Sequence, residues 1–98
     1  MRVIADLCVV PLGMGVSVSS YVAEAERILK DRGLQPRLHA YGTNLEGEWD
    51  EVMEAIREVH ERLHQMGVPR ITSNMRFGTR TDREQTGEEK IRSVEEKM

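Results

Sequence analysis

An α+β fold is predicted for this chain of 98 residues: a ferredoxin-like βαββαβ two-layer sandwich with an extra C-terminal helix. Three observations carry that expectation. Two segments with helical periodicity alternate with four short β-rich segments in the order β-α-β-β-α-β. Glycine or proline stands at most of the boundaries. Thr86 and Glu89 then form a capping signature that opens one more helix, over about 86–98. A chain of this length forms one domain, 1–98, with a single two-layer core.

The first strand is "VIADLCVV", residues 3–10. Val3, Ala5, Leu7 and Val9 share one face, and Ile4, Asp6, Cys8 and Val10 share the other. Pro11, Gly13 and Gly15 end it, and "SVSSYVAEAERILKDRG" reads as the first helix. Ser17 and Ser19 are its candidate N-caps, Gly33 is its stop, and Tyr21, Val22, Ala25, Ile28 and Leu29 form its buried stripe. "LQPRLHAYG" is the second strand, in which Leu38 and Ala40 alternate with Arg37, His39 and Tyr41. A turn at Gly42 and Thr43 leads to a short third strand, with Leu45 inward and Asn44 and Glu46 outward.

The second helix, from about Trp49 to Met66, has the most regular pattern. Its stripe is Trp49, Val52, Met53, Ile56, Val59, Leu63 and Met66, and Gly67 ends it. "VPRITSNMRFG" is the fourth strand, with Ile71, Ser73, Met75 and Phe77 on the covered face. The last helix has only Ile91, Val94 and Met98 as an apolar line. With both long helices on one face of the sheet, the other face carries Asp6, Cys8, Arg37, His39, Tyr41, Asn44, Glu46, Thr72, Asn74 and Arg76.

Composition narrows the function classes. With 14 basic and 17 acidic side chains the formal net charge is −3, which supplies no general attraction to nucleic acid or to an anionic membrane. No run of about 18 apolar residues is present to span a bilayer. The apolar N-terminus is broken by Asp6 and reads as a strand rather than a signal peptide. One cysteine, Cys8, rules out an internal disulfide and fits a reducing, cytoplasmic location.

The second helix also holds His60-Glu61-Arg62-Leu63-His64, a literal match to the H-E-x-x-H pattern of zinc peptidases. Both histidines fall on or beside the apolar stripe at 100° per residue, so they could share a metal. A catalytic zinc needs a third protein ligand and an open position. The fourth strand runs back along the helix for roughly 30 Å, at about 3.3 Å per residue, and delivers Glu84 to the end away from His64. The expectation is therefore no metal: His60 partly buried with a local hydrogen bond, His64 on the surface.

Other chemistries are weaker still. The Gly/Ser-rich loop "PLGMGVSVSS" lacks the lysine of a nucleotide-hydrolysing P-loop. An RNA-recognition sheet needs aromatic platforms, and Tyr41 is the single candidate here. Cys8 reads as a packed thiol. Asp6 and Glu46 could face one another as a carboxylate pair, or be bonded to Arg37 and Arg76. No catalytic residues and no cofactor are expected.

Four segments, "VIADLCVVPLG", "SVSSYVAEAERIL", "YGTNLEGEWDEVMEAIREVHE" and "VPRITSNMRF", resemble the small thiamine-binding protein family. The resemblance runs over nearly the whole chain. It implies a ferredoxin-like fold assembled as a homodimer or homotetramer. It also implies a non-enzymatic protein that binds thiamine or its hydroxymethylpyrimidine moiety as carrier, buffer or sensor. On that basis the ligand-binding residues are expected among Ser17, Ser19, Tyr41, Thr43, Asn44, Glu46 and Asp6. Glu46 or Asp6 would accept from the exocyclic amine, Ser19, Thr43 or Asn44 would bond the ring edge, and Tyr41 would stack. The alternative is a structural assembly module with no small-molecule ligand.

Overall fold

A computed structural model describes residues 1–98. Its elements are β1 (Arg2–Leu12), α1 (Ser19–Asp31), β2 (Arg37–His39), β3 (Gly42–Glu48), α2 (Trp49–Gln65), β4 (Arg70–Gly78) and α3 (Gly87–Glu95). The four strands form one antiparallel sheet in the order β2-β3-β1-β4. This is the predicted βαββαβ order with its added helix.

Alternation decides which face of the sheet is buried. Val3, Ala5 and Leu7 of β1 lie beside Leu45 of β3 under the helices, each at most 3% exposed. From above, α1 contributes Ala25, Ile28 and Leu29, and α2 contributes Val52, Ala55, Val59 and Leu63. Leu34 and Val68, each just past a helix, close the ends of this core. At the β4 edge, Trp49 meets Phe77 edge-to-face with ring centroids 5.3 Å apart.

Three local expectations are corrected. The second strand is three residues long, Arg37–His39, rather than nine. Gly33 and Gln35 both adopt positive φ, and Pro36 has no N–H to give a ladder. Leu34 meanwhile leaves the sheet edge for the core, and its carbonyl accepts the Glu46 N–H at 3.0 Å. Gly47 makes room for it, because a Cβ there would lie 2.6 Å from Leu34 Cδ2. The turn consequently falls at Ala40–Tyr41, between the paired residues His39 and Gly42, and Tyr41 is off the sheet face at 87% exposure. Finally, α1 is capped by neither serine: Val18 is the N-cap and has no side-chain bond.

The C-terminal helix begins as expected, with Thr86 Oγ1 accepting the Glu89 N–H at 3.1 Å. What seats it is Glu46. This carboxylate is 3% exposed, although it lies on the face away from α1 and α2. It accepts the Gly87 N–H at 2.7 Å, Arg2 Nη2 at 2.8 Å and Arg37 Nη2 at 3.4 Å. One side chain thus joins β3, β1, β2 and the first turn of α3. The apolar line of α3 lies outside the core: Ile91 and Val94 are both exposed.

Candidate ligand-binding cleft

A β2 of only three residues leaves the sheet edge beneath α1 short of side chains. Leu38 alone points inward from that strand, level with Thr43 in the ladder. The result is a cleft of about 300 Å³ between α1 and the β2–β3 hairpin. Its walls are Val22, Ala25 and Leu29 of α1, Leu7 and Val9 of β1, and Leu38 with the hairpin turn. A small organic molecule is desolvated by such apolar walls and oriented by a few polar groups among them.

Thr43 and Glu26 are the polar side chains on the α1 side and floor of the cleft, with Tyr41 and His39 at its mouth. Thr43 is 5% exposed, and its hydroxyl donates to Glu26 Oε1. Glu26 is half-buried, and none of the protein's ion pairs includes it. The turn at the mouth is fixed from the other side of the sheet. Tyr41 N–H donates to His39 Nδ1 at 3.3 Å, which leaves the ring proton on Nε2 to be donated to Asp6 Oδ1 at 2.7 Å. Gly42 allows this close seating, since a Cβ there would lie 2.7 Å from the Leu7 carbonyl oxygen.

The seven residues expected to bind ligand are divided by the structure. Thr43 and Tyr41 come together in the cleft. Asp6 and Asn44 are directly opposite one another in the ladder, but on the open face, and Asp6 is engaged by His39. Glu46 and Asp6 share that face without forming a facing pair, because Glu46 stands opposite Ile4. The arginines on Glu46 are Arg2 and Arg37, while Arg76 stands opposite Asp6. Ser17 and Ser19 are exposed at the start of α1. Glu26 was not anticipated. Its spacing carried a signal, four residues after Val22 and three before Leu29, which places a carboxylate beside the apolar stripe.

A larger groove, about 890 Å³, lies between the start of β1 and the loop leading to α3. Its walls are mostly charged, and part of that charge is paired. Arg80 grips Asp82 with bonds of 2.7 and 2.6 Å and reaches Gln85 at 2.7 Å, and the guanidinium holds the Asp82 carboxyl down at about 2. The N-terminal amine is likewise held by Glu48 at 2.8 Å. Only Met1 and Ile4 supply apolar wall there, so the smaller cleft is the better site for an organic ligand.

The two histidines of the zinc-like motif serve packing. His60 Nε2 is 2.7 Å from Ser73 Oγ and ties α2 to β4. His64 Nδ1 donates to the Val68 carbonyl at 2.8 Å, just past the end of α2. No three His, Cys, Asp or Glu side chains gather around a common point. Burial, and then the nearby charge of His64, push the His60 pKa below 6.5. A group depressed in this way binds protons more readily in the unfolded chain. Its effect is absent above 6.5 and costs stability as pH falls from there towards the folded value. Denaturant titrations at pH 7.5 and about pH 5.5 should show that His60→Asn flattens this loss, and an unchanged slope would contradict the assignment.

Comparison with known proteins places the chain among related sequences. The profile of a family described as thiamine-binding protein matches residues 5–95. A UPF0045 protein of Synechocystis is 62% identical over 95 residues, covering 97% of this chain and 78% of that protein. The crystal structure of a hypothetical protein of Methanocaldococcus jannaschii superposes with a TM-score of 0.89 at 37% identity, over 97% of both chains. A Thermotoga maritima protein named for thiamine biosynthesis or salvage shares the fold, with a TM-score of 0.81 at 21% identity over 96% of this chain and 99% of the other.

Proposed function

Because this chain belongs to the thiamine-binding protein family, we propose that it is a non-enzymatic binding protein for thiamine or its hydroxymethylpyrimidine moiety. Its role is that of a carrier, buffer or sensor. The observation that carries this reading is the cleft of about 300 Å³, apolar on most sides and containing an unpaired carboxylate. That volume lies at the small end of ligand sites and suits one aromatic ring with its substituents. An aminopyrimidine offers flat apolar faces for Val22 and Leu38, with Tyr41 at the mouth. The thiazolium of thiamine adds a positive charge that Glu26 favours.

Calorimetry with thiamine and with hydroxymethylpyrimidine tests the reading. Saturable heat with at least one ligand is expected at one site per chain. The absence of heat with both at millimolar concentration would overturn it.

A second reading is an assembly module, favoured by the exposed apolar line of Ile91 and Val94 on α3 and Met98 just beyond it. The two are compatible if the protein binds its ligand as a homodimer or homotetramer, which is the form we propose, in the cytoplasm. No helix is long and apolar enough to cross a membrane. Light scattering that returned a monomer at micromolar protein would exclude the assembly reading.

A further inference from the structure

We infer that Glu26, backed by Thr43, sets the specificity of the cleft: it selects rings bearing an amino group over rings of the same shape bearing a carbonyl there. This inference rests on the ligand reading above and sharpens it. It follows from where the protons near the cleft are directed.

An ionised carboxylate only accepts hydrogen bonds, and it has about four lone-pair positions. The Thr43 hydroxyl proton occupies one of them at Oε1. Having spent its one proton on Glu26, Thr43 presents lone pairs to a ligand as well. The Tyr41 backbone N–H and the His39 ring proton are also spent, and the Tyr41 hydroxyl belongs to a residue that is 87% exposed, outside the cleft floor. Tyr41 N–H is given to His39 Nδ1, and the remaining ring proton of His39 is turned to Asp6 on the opposite face. The two polar side chains inside the cleft therefore meet a ligand as neighbouring acceptors, and no cation is paired with Glu26.

A ligand that enters must bring protons to this pair. An exocyclic amino group brings two N–H donors, one for the carboxylate and one for the Thr43 oxygen. A carbonyl at the same ring position would set a third acceptor against two others, inside apolar walls where an unmatched polar contact is most costly. A positive charge elsewhere on the ligand is favoured by the same carboxylate. The class of ligand is thus a flat nitrogen heterocycle with an amino substituent, neutral or cationic.

The test compares two probes by calorimetry: hydroxymethylpyrimidine with its amino group, and the same ring with an oxo group in its place. In the unaltered protein the amino ring is expected to bind roughly 10- to 100-fold more tightly, the worth of a hydrogen bond to a charged acceptor. In Glu26→Gln, whose amide both donates and accepts, the preference should shrink to within about threefold. The comparison within the unaltered protein stands even if the variant folds poorly. Equal affinities there, or a preference that survives in a folded Glu26→Gln, overturn the specificity role and leave the cleft reading intact. Failure of both probes to bind the unaltered protein removes the cleft reading and this inference with it.

Discussion

Glu46→Ala is expected to lower the unfolding free energy by about 2–3 kcal/mol and to release α3 from the sheet. The carboxylate is 3% exposed and satisfies the Gly87 N–H together with Arg2 and Arg37. Removing it leaves a backbone donor without its partner and two guanidinium groups without a counter-charge. Complete burial of all members would give a larger loss. The arginine side chains, however, are 40% and 42% exposed, so water recovers part of it. Urea titration measures the total, and limited proteolysis beyond Gly78 reports the release of α3. A stability change under about 0.5 kcal/mol would show that Glu46 is not the anchor.

A companion substitution reaches the same contact from the other side. A Cβ added at Gly87 would lie 2.6 Å from Glu46 Oε2 and 2.9 Å from Arg37 Nη2. Gly87→Ala should therefore loosen α3 while leaving all three charged partners in place. The same geometry explains why Glu46, which the sequence suggested as a ligand acceptor, has little capacity left for one.

The second large effect is expected on binding. Val22→Phe places an aromatic ring in the cleft from the α1 side, where Val22 is half-buried rather than packed in the core. The added side-chain volume occupies much of the 300 Å³ that a ligand needs. Affinity for the pyrimidine should fall by about 100-fold or more, while stability changes by less than about 1.5 kcal/mol. Calorimetry read beside a urea titration separates the two quantities. Unchanged binding in a stably folded Val22→Phe would place the ligand elsewhere, with the open sheet face around Asp6 and Asn44 the first alternative.

Much of this protein is legible along the chain because the relevant signals are local. The alternation of Val3, Ala5 and Leu7, and the recurrence of Val52, Val59 and Leu63, each follow from the geometry of a single element. Thr86 and Glu89 mark the start of α3 within one turn. His60 and His64 spell a zinc-like pattern by local spacing alone, and in the fold each makes a bond to its own surroundings.

The cleft and the anchor depend on contacts that no local pattern contains. Leu34 packs across β3 onto Gly47, which shortens β2 and opens the space under α1. Glu26 and Thr43 are 17 residues apart and meet only because α1 lies over the edge of the sheet. Glu46 and Gly87 are 41 residues apart, so a strand position that alternation marks as outward is in fact buried beneath α3. Sequence by itself determined the order of elements, the two faces of the sheet and the family, since periodicity and similarity are properties of the linear chain. The tertiary structure alone decided which polar groups face a cavity and which are consumed holding the fold together, because that depends on what packs above each residue.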